Sequence, residues 1–112
     1  MEAKILFDAD KLDVTGTLGI ARTLAYKGIV AEPLYYVDED GCVLDGQNEK
    51  RPSFFQEYNW KLKHIYDKFY TDRAKEIAKE RQRASISFYE SMYKEVRSIH
   101  KTGLHLLNRE LE

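Results

Sequence analysis

The sequence predicts an all-α fold of three to four helices with one irregular, hairpin-like insertion. Three observations carry that prediction. Apolar residues recur at spacings of three and four from Ala3 to Tyr26, and a longer pattern of the same kind follows Thr71. Between them, the stretch from Ile29 to Pro52 holds both prolines together with Gly41 and Gly46, and has no helical period.

The first pattern runs through Ile5, Ala9, Leu12, Leu18, Ala21, Leu24 and Ala25. Gly16 and Gly19 interrupt it. Glycine costs about 1 kcal/mol against alanine inside a helix, so the pair predicts either a break between two helices or a point of close packing. Lys27-Gly28 supplies a stop. In the insertion, Leu34-Tyr35-Tyr36-Val37 and Cys42-Val43-Leu44 flank an Asp-Gly turn signal, consistent with a small two-stranded hairpin that must pack on something or remain mobile. Ser53 is then the N-cap of a helix carrying Phe54, Phe55, Tyr58, Leu62 and Ile65 or Tyr66, expected to end near Lys68. Thr71-Asp72 opens a final amphipathic helix of about 30 residues, through Ala74, Ile77, Ala78, Arg81, Phe88, Met92, Val96 and Ile99, with Gly103 at its end or bend.

Composition agrees with one packed unit over residues 1–112. The chain is 43% hydrophobic and 33% charged with a formal charge of −1, values that argue against disorder. The single cysteine, Cys42, forms no internal disulfide, and no apolar run approaches the roughly 18 residues of a membrane span. A reducing, cytoplasmic setting without membrane insertion is the expectation. Residues 1–50 hold 5 Lys/Arg against 10 Asp/Glu, a sum of −5, and residues 51–112 hold 13 against 9, a sum of +4. In the basic half, Arg73, Lys75, Lys79, Arg81 and Arg83 alternate with Asp72, Glu76 and Glu80, the look of a solvated helix face rather than a nucleic-acid footprint.

The acidic half is where metal or phosphate chemistry is to be sought. Three carboxylates, Asp8, Asp10 and Asp13, fall within six residues, and their repulsion needs a cation or donor to offset it. On one helix Asp10 and Asp13 share a face, with Thr17 a turn further on, while Asp8 points elsewhere. A bland account also exists: acids near the positive end of a helix are favourable by a few tenths to about 1 kcal/mol.

Two families are similar to this stretch. Ile5-Leu6-Phe7-Asp8-Ala9-Asp10 resembles the opening motif of the haloacid dehalogenase-like phosphatases, but Leu12 stands where that pattern has Thr or Val, and the alternating strands and helices of a doubly wound domain are missing. A longer series resembles the C-terminal half of bacterial HD-superfamily phosphohydrolases. It comprises Asp8-Ala9-Asp10-Lys11-Leu12-Asp13, Gly16, Gly19-Ile20-Ala21-Arg22-Thr23, Ala25-Tyr26, Gly28 and Pro33-Leu34-Tyr35, then Lys61-Leu62-Lys63 and Ala74-Lys75, Ile77-Ala78, Glu80-Arg81. The likeness runs from about residue 3 to residue 97.

In that family a His, a His-Asp pair and a later Asp hold a divalent metal, such as manganese, magnesium, nickel or iron, that activates water against phosphorus. The resemblance implies that Asp10 is the later metal ligand. It gives Asp8 and Asp13 catalytic support as orienting or water-positioning acids, and makes Lys11 and Arg22 candidate contacts to substrate phosphate. An ion pair from Arg22 to Asp8 or Asp13 is the competing structural reading. The implied substrate class is a phosphate-containing small molecule, a nucleotide in particular.

The His and His-Asp motifs would lie N-terminal to Asp10, only nine residues from Met1, and no His-Asp dipeptide occurs. His64, His100 and His105 fall in the later helices, and the last two are about 140° apart on a helix, an unsuitable metal pair. The expectation is therefore a partial HD-like domain that is inactive alone, with a non-catalytic helical interaction protein as the rival. Uncovered apolar faces on the first and last helices predict a homo-oligomer.

Other sites fail on spacing. Asp8-x-Asp10 and Asp38-x-Asp40 resemble the start of calcium loops, but Asp13 and Val43 occupy the positions that need glycine. Cys42 has no basic neighbour in sequence to activate it. The aromatics Tyr58, Trp60, Tyr66, Phe69, Tyr70, Phe88, Tyr89 and Tyr93 recur at helical spacing and are assigned to packing.

Overall fold

A computed structural model describes the backbone of residues 1–111 and the side chains of residues 1–101. The chain is all-α, as predicted: α1 spans Glu2–Leu12, α2 Gly16–Ile29, α3 Phe54–Trp60 and α4 Asp72–Leu111, with a 3-10 turn at Leu62–His64 between α3 and α4. Among the described residues, extended pairing is limited to one antiparallel bridge between Val37 and Val43. The His105 side chain lies outside the described residues.

Both readings of the early glycines hold. The chain reverses after Leu12, where Gly16 adopts φ +62° and its absent Cβ would sit 2.8 Å from the Cβ of Arg81. A Cβ on Gly19 would come 2.2 Å from the Val14 carbonyl carbon, so glycine there permits a close approach. The reversal also corrects one expectation: Thr17 belongs to α2, so it does not continue the Asp10–Asp13 face of α1.

The insertion caps α3. Its turn is closed by Asp38, whose carboxylate accepts from the amides of Asp40 and Cys42 at 2.9 Å each, while the Leu44 amide donates to Tyr36 at 2.9 Å. The first amides of α3 would be orphaned at a helix start. Phe54 and Phe55 donate theirs to the carbonyls of Pro33 and Leu34 at 3.1 and 3.0 Å, and Gln56 donates to the Ser53 hydroxyl at 3.1 Å. Ser53 is thus the N-cap expected from sequence.

Two helix ends depart from the sequence reading. α3 stops at Trp60 rather than near Lys68, because Lys61 leaves helical geometry at φ −125° and ψ −60°, and the following 3-10 turn carries Leu62 into the core. α4 begins where Thr71 accepts from the Ala74 amide at 3.2 Å, as predicted, but runs for 40 residues, straight through Gly103. One exposed glycine costs about 1 kcal/mol, which a helix of this length absorbs.

The core lies where α2 and α3 pack on the middle of α4. Ile20, Phe54, Phe55, Tyr58, Leu62 and Tyr89 are its buried centre. Tyr58 and Tyr89 stack with centroids 4.1 Å apart, and Phe55 meets Tyr89 edge-on at 5.2 Å. Asn59 and the Tyr89 hydroxyl both donate to the Asp45 carbonyl, at 2.8 and 2.6 Å, binding the insertion to this core. A second cluster of Phe69, Ala74 and Ala78 receives Leu12 and joins the end of α1 to the start of α4. The aromatic assignment holds for the buried members, whereas Trp60 and Tyr70 are half exposed.

Candidate functional site

The three aspartates divide according to their helical positions. Asp8 is buried, and its carboxylate accepts from the amide of Tyr70 at 2.9 and 3.2 Å and from that of Thr71 at 2.7 Å. Burial raises its pKa, but the two amide bonds, the Thr71 hydroxyl and the charge of Lys75 outweigh that, and the carboxyl stays below its ordinary range. Asp8 therefore fastens α1 to the start of α4.

Asp10 faces solvent, and among the described residues no hydrogen bond or ion pair engages its carboxylate. Asp13 follows the last turn of α1, also exposed, and its amide donates to the Asp10 carbonyl at 3.3 Å. Arg22 of α2 comes within 3.5 Å of Asp13, the ion pair that sequence offered as the alternative to a phosphate contact. Both partners are more than half exposed, so the pair is a weak restraint. Lys11 lies over the Phe7 ring at 4.9 Å.

What holds this end of α1 in place comes from far along the chain. The Leu12 carbonyl accepts from the Thr15 hydroxyl at 2.6 Å, the Thr15 amide at 3.1 Å and the Arg81 guanidinium at 2.8 Å. Carbonyls at a helix C-terminus carry partial negative charge, and two carboxylates add to it here, so a cation at Leu12 is well placed. The Gly16 amide donates to the Tyr66 hydroxyl at 2.9 Å. Sequence reasoning singled out neither Arg81 nor Tyr66 for this work. Arg81 stood within the quoted Glu80-Arg81 pattern, which was the available signal.

Several apolar side chains of α1 and α2 are left exposed. Ile5 and Leu6 on α1 and Leu18 on α2 are each at least half exposed, and Ile29 is 82% exposed. Leu6 is one turn before Asp10 and shares its face.

A second buried charge had been read only as part of a helix stop. Lys27 is 3% exposed and is held by Glu32 and, at 3.1 Å, by Glu57. Burial lowers its pKa, but the hydrogen bonds and charges of the two glutamates prevail and hold it above its usual value. Cys42 is also corrected: it is exposed, and shares a groove with Lys94, Arg97 and Lys101, basic residues that sequence distance had hidden.

The described residues do not by themselves fit a metal. No group of three or more His, Cys, Asp or Glu side chains is placed to hold one among them. His64 lies in the 3-10 turn, and His100 hydrogen-bonds the Tyr35 hydroxyl at 2.8 Å. Among the described residues the end of α1 provides two exposed carboxylates, Asp10 and the Arg22-paired Asp13, and no catalytic step follows from them alone. Among the described residues no helix is long and apolar enough to cross a membrane.

No family model matches the chain. It is similar to the uncharacterized protein YpgQ of Bacillus subtilis, with 29% identity over 99 residues, 88% of this chain and 42% of that protein. A solved structure of YpgQ in complex with ADP superposes with a TM-score of 0.68 over 85% of this chain and 44% of that one. An HD-superfamily hydrolase from Bacillus thuringiensis is 36% identical, with a TM-score of 0.66 over 84% of this chain and 45% of that one. A protein from Listeria innocua is also 36% identical, with a TM-score of 0.69 over 83% of this chain and 46% of that one. The fold is HD-like, and the chain spans less than half the length of each of these relatives.

Proposed function

We propose that residues 1–112 form the C-terminal portion of an HD-type, divalent-metal-dependent phosphohydrolase acting on phosphate or pyrophosphate bonds of a nucleotide-class substrate. The observation that carries the reading is Asp10, a solvent-facing carboxylate without a partner among the described residues, on the helix α1 whose Ile5 and Leu6 are also exposed. Its place in the Asp-Ala-Asp-Lys-Leu series is that of the family's metal ligand, and a similar protein has been solved with ADP bound. Asp13 is assigned to water positioning, Lys11 and Arg22 to phosphate contact, and Asp8 to holding α1 in place. The imidazole ligands belong to a segment N-terminal to this one, which would also cover Ile5, Leu6 and Leu18. Without it the chain is inactive and self-associates through that face, in a cytoplasmic setting.

The coding DNA upstream of Met1 tests this directly. An in-frame segment encoding a His and a later His-Asp pair is expected, and the extended protein should release phosphate or pyrophosphate from nucleotides with manganese, an activity that Asp10→Asn abolishes. An extended protein that is fully active as Asp10→Asn overturns the assignment. An inactive extension that binds a helical protein partner would favour the interaction-protein reading.

A further inference from the structure

A cleft of about 500 Å³ opens between the 3-10 turn and the first turns of α4, remote in sequence from the α1–α2 face. It is lined by Lys63 and His64 from the turn and by Lys75, Lys79 and Gln82 from α4, with Tyr66, Asp67 and Glu76 completing the wall. None of its residues comes from α1 or α2.

The charges of this cleft are unbalanced. Lys75 and Lys79 lie one turn apart on the same helix face, where like charges repel. Lys63 lines the cleft from the 3-10 turn. Among the described residues none of the three has a carboxylate within ion-pair distance, although two carboxylates share the cleft. Glu76 instead pairs with Arg73 at 3.3 Å, and the one hydrogen bond from Lys63 goes to the neutral Asn59 side chain at 3.3 Å. Three lysines and a histidine from two elements thus line one open space with two carboxylates, the Lys63 ammonium resting on Asn59 and the charge of Lys75 also acting on Asp8. Gln82 adds an amide donor.

We propose that this cleft is an anion site for a small phosphate-bearing molecule, with Lys63 from the 3-10 turn and Lys75 and Lys79 from α4 contacting its phosphoryl groups. Two linked phosphoryl groups offer three lysines more charge and more acceptor oxygens than a single tetrahedral anion does, so pyrophosphate is favoured over phosphate and sulfate. The proposal is independent of the metal reading, since no residue of the Asp10 face takes part.

The test is an amide chemical-shift titration of the 112-residue chain in the presence of a chelator, at constant ionic strength. The probes are pyrophosphate, inorganic phosphate, sulfate and a short single-stranded oligonucleotide. Saturable shifts centred on Lys63, His64, Lys75 and Lys79 are expected, at concentrations roughly tenfold lower for pyrophosphate than for sulfate. The double variant Lys63→Gln, Lys79→Gln changes only exposed side chains. It should keep its helical circular dichroism and bind pyrophosphate about tenfold more weakly. Shifts centred elsewhere, equal response to sulfate and pyrophosphate, or no saturation would each overturn the proposal. Tighter binding of the oligonucleotide than of pyrophosphate would also overturn it, as a nucleic-acid surface. Because metal is excluded, failure here leaves the Asp10 reading untouched, and failure of that reading leaves this one standing.

Discussion

The α3–α4 core and the α1–α2 face contain similar side chains in opposite circumstances. Around α3, Phe54 and Phe55 have no exposed surface, and even the polar Asn59 and Tyr89 hydroxyl are satisfied by the Asp45 carbonyl. On α1 and α2, Ile5, Leu6, Leu18 and Ile29 stay exposed although the corner joining the two helices is held by Thr15, Tyr66 and Arg81. The first region is finished. The second has its backbone fixed and its apolar side chains exposed.

Mutations should separate the two regions. Phe55→Ala removes the residue at the centre of the aromatic cluster and should cost about 3–5 kcal/mol in chemical denaturation. Next is Lys27→Met, which leaves Glu32 and Glu57 facing one another without their cation. With each glutamate about a quarter exposed, roughly 2 kcal/mol is expected in the same assay. Arg81→Met should cost about 1–2 kcal/mol, since Leu12 keeps two other donors. Its signature is local: faster hydrogen exchange at Val14, Thr15 and Gly16 with little change in α3.

A pH series sharpens the comparison further. Asp8 has a folded-state pKa below its unfolded one, so its contribution is present above the ordinary carboxylate range and is lost as pH falls through the folded value. Glu49 behaves alike, its carboxyl pushed down to about 2 chiefly by the side-chain hydrogen bonds of Arg51. Acid unfolding of the wild type should therefore deepen below about pH 4. Asp8→Asn should be less stable at neutral pH and flatter on the acid side. If the two profiles run parallel, the anchoring of α1 through Asp8 is wrong. The smallest effect belongs to Asp10→Asn, within about 0.5 kcal/mol of wild type, because nothing among the described residues leans on that carboxylate.

Local signals were legible in the sequence and distant ones were not. Ser53 and Thr71 announced helix starts because a cap acts within three residues, and Gly16 and Gly19 marked the corner because only glycine fits there. Helical geometry alone set Asp8 apart from Asp10 and Asp13, whereas the family resemblance grouped it with Asp13 as a catalytic acid, and the structure buries it against the Tyr70 and Thr71 amides. Arg81, Tyr66 and the basic residues beside Cys42 act across 50 residues or more, and spacing carries no information about such contacts. The early end of α3 escaped for a related reason: the apolar period continues past Trp60, but burial of Leu62 is achieved by a 3-10 turn.

The proposed function assigns to this chain one corner of a metal site rather than a whole one. Calorimetric titration of manganese into the purified 112-residue protein tests it most directly. The account predicts no binding tighter than about the millimolar range, as exposed carboxylates without imidazoles allow. Stoichiometric micromolar binding that Asp10→Asn abolishes would contradict it, and would mean that the chain, alone or as an oligomer, already holds a complete site.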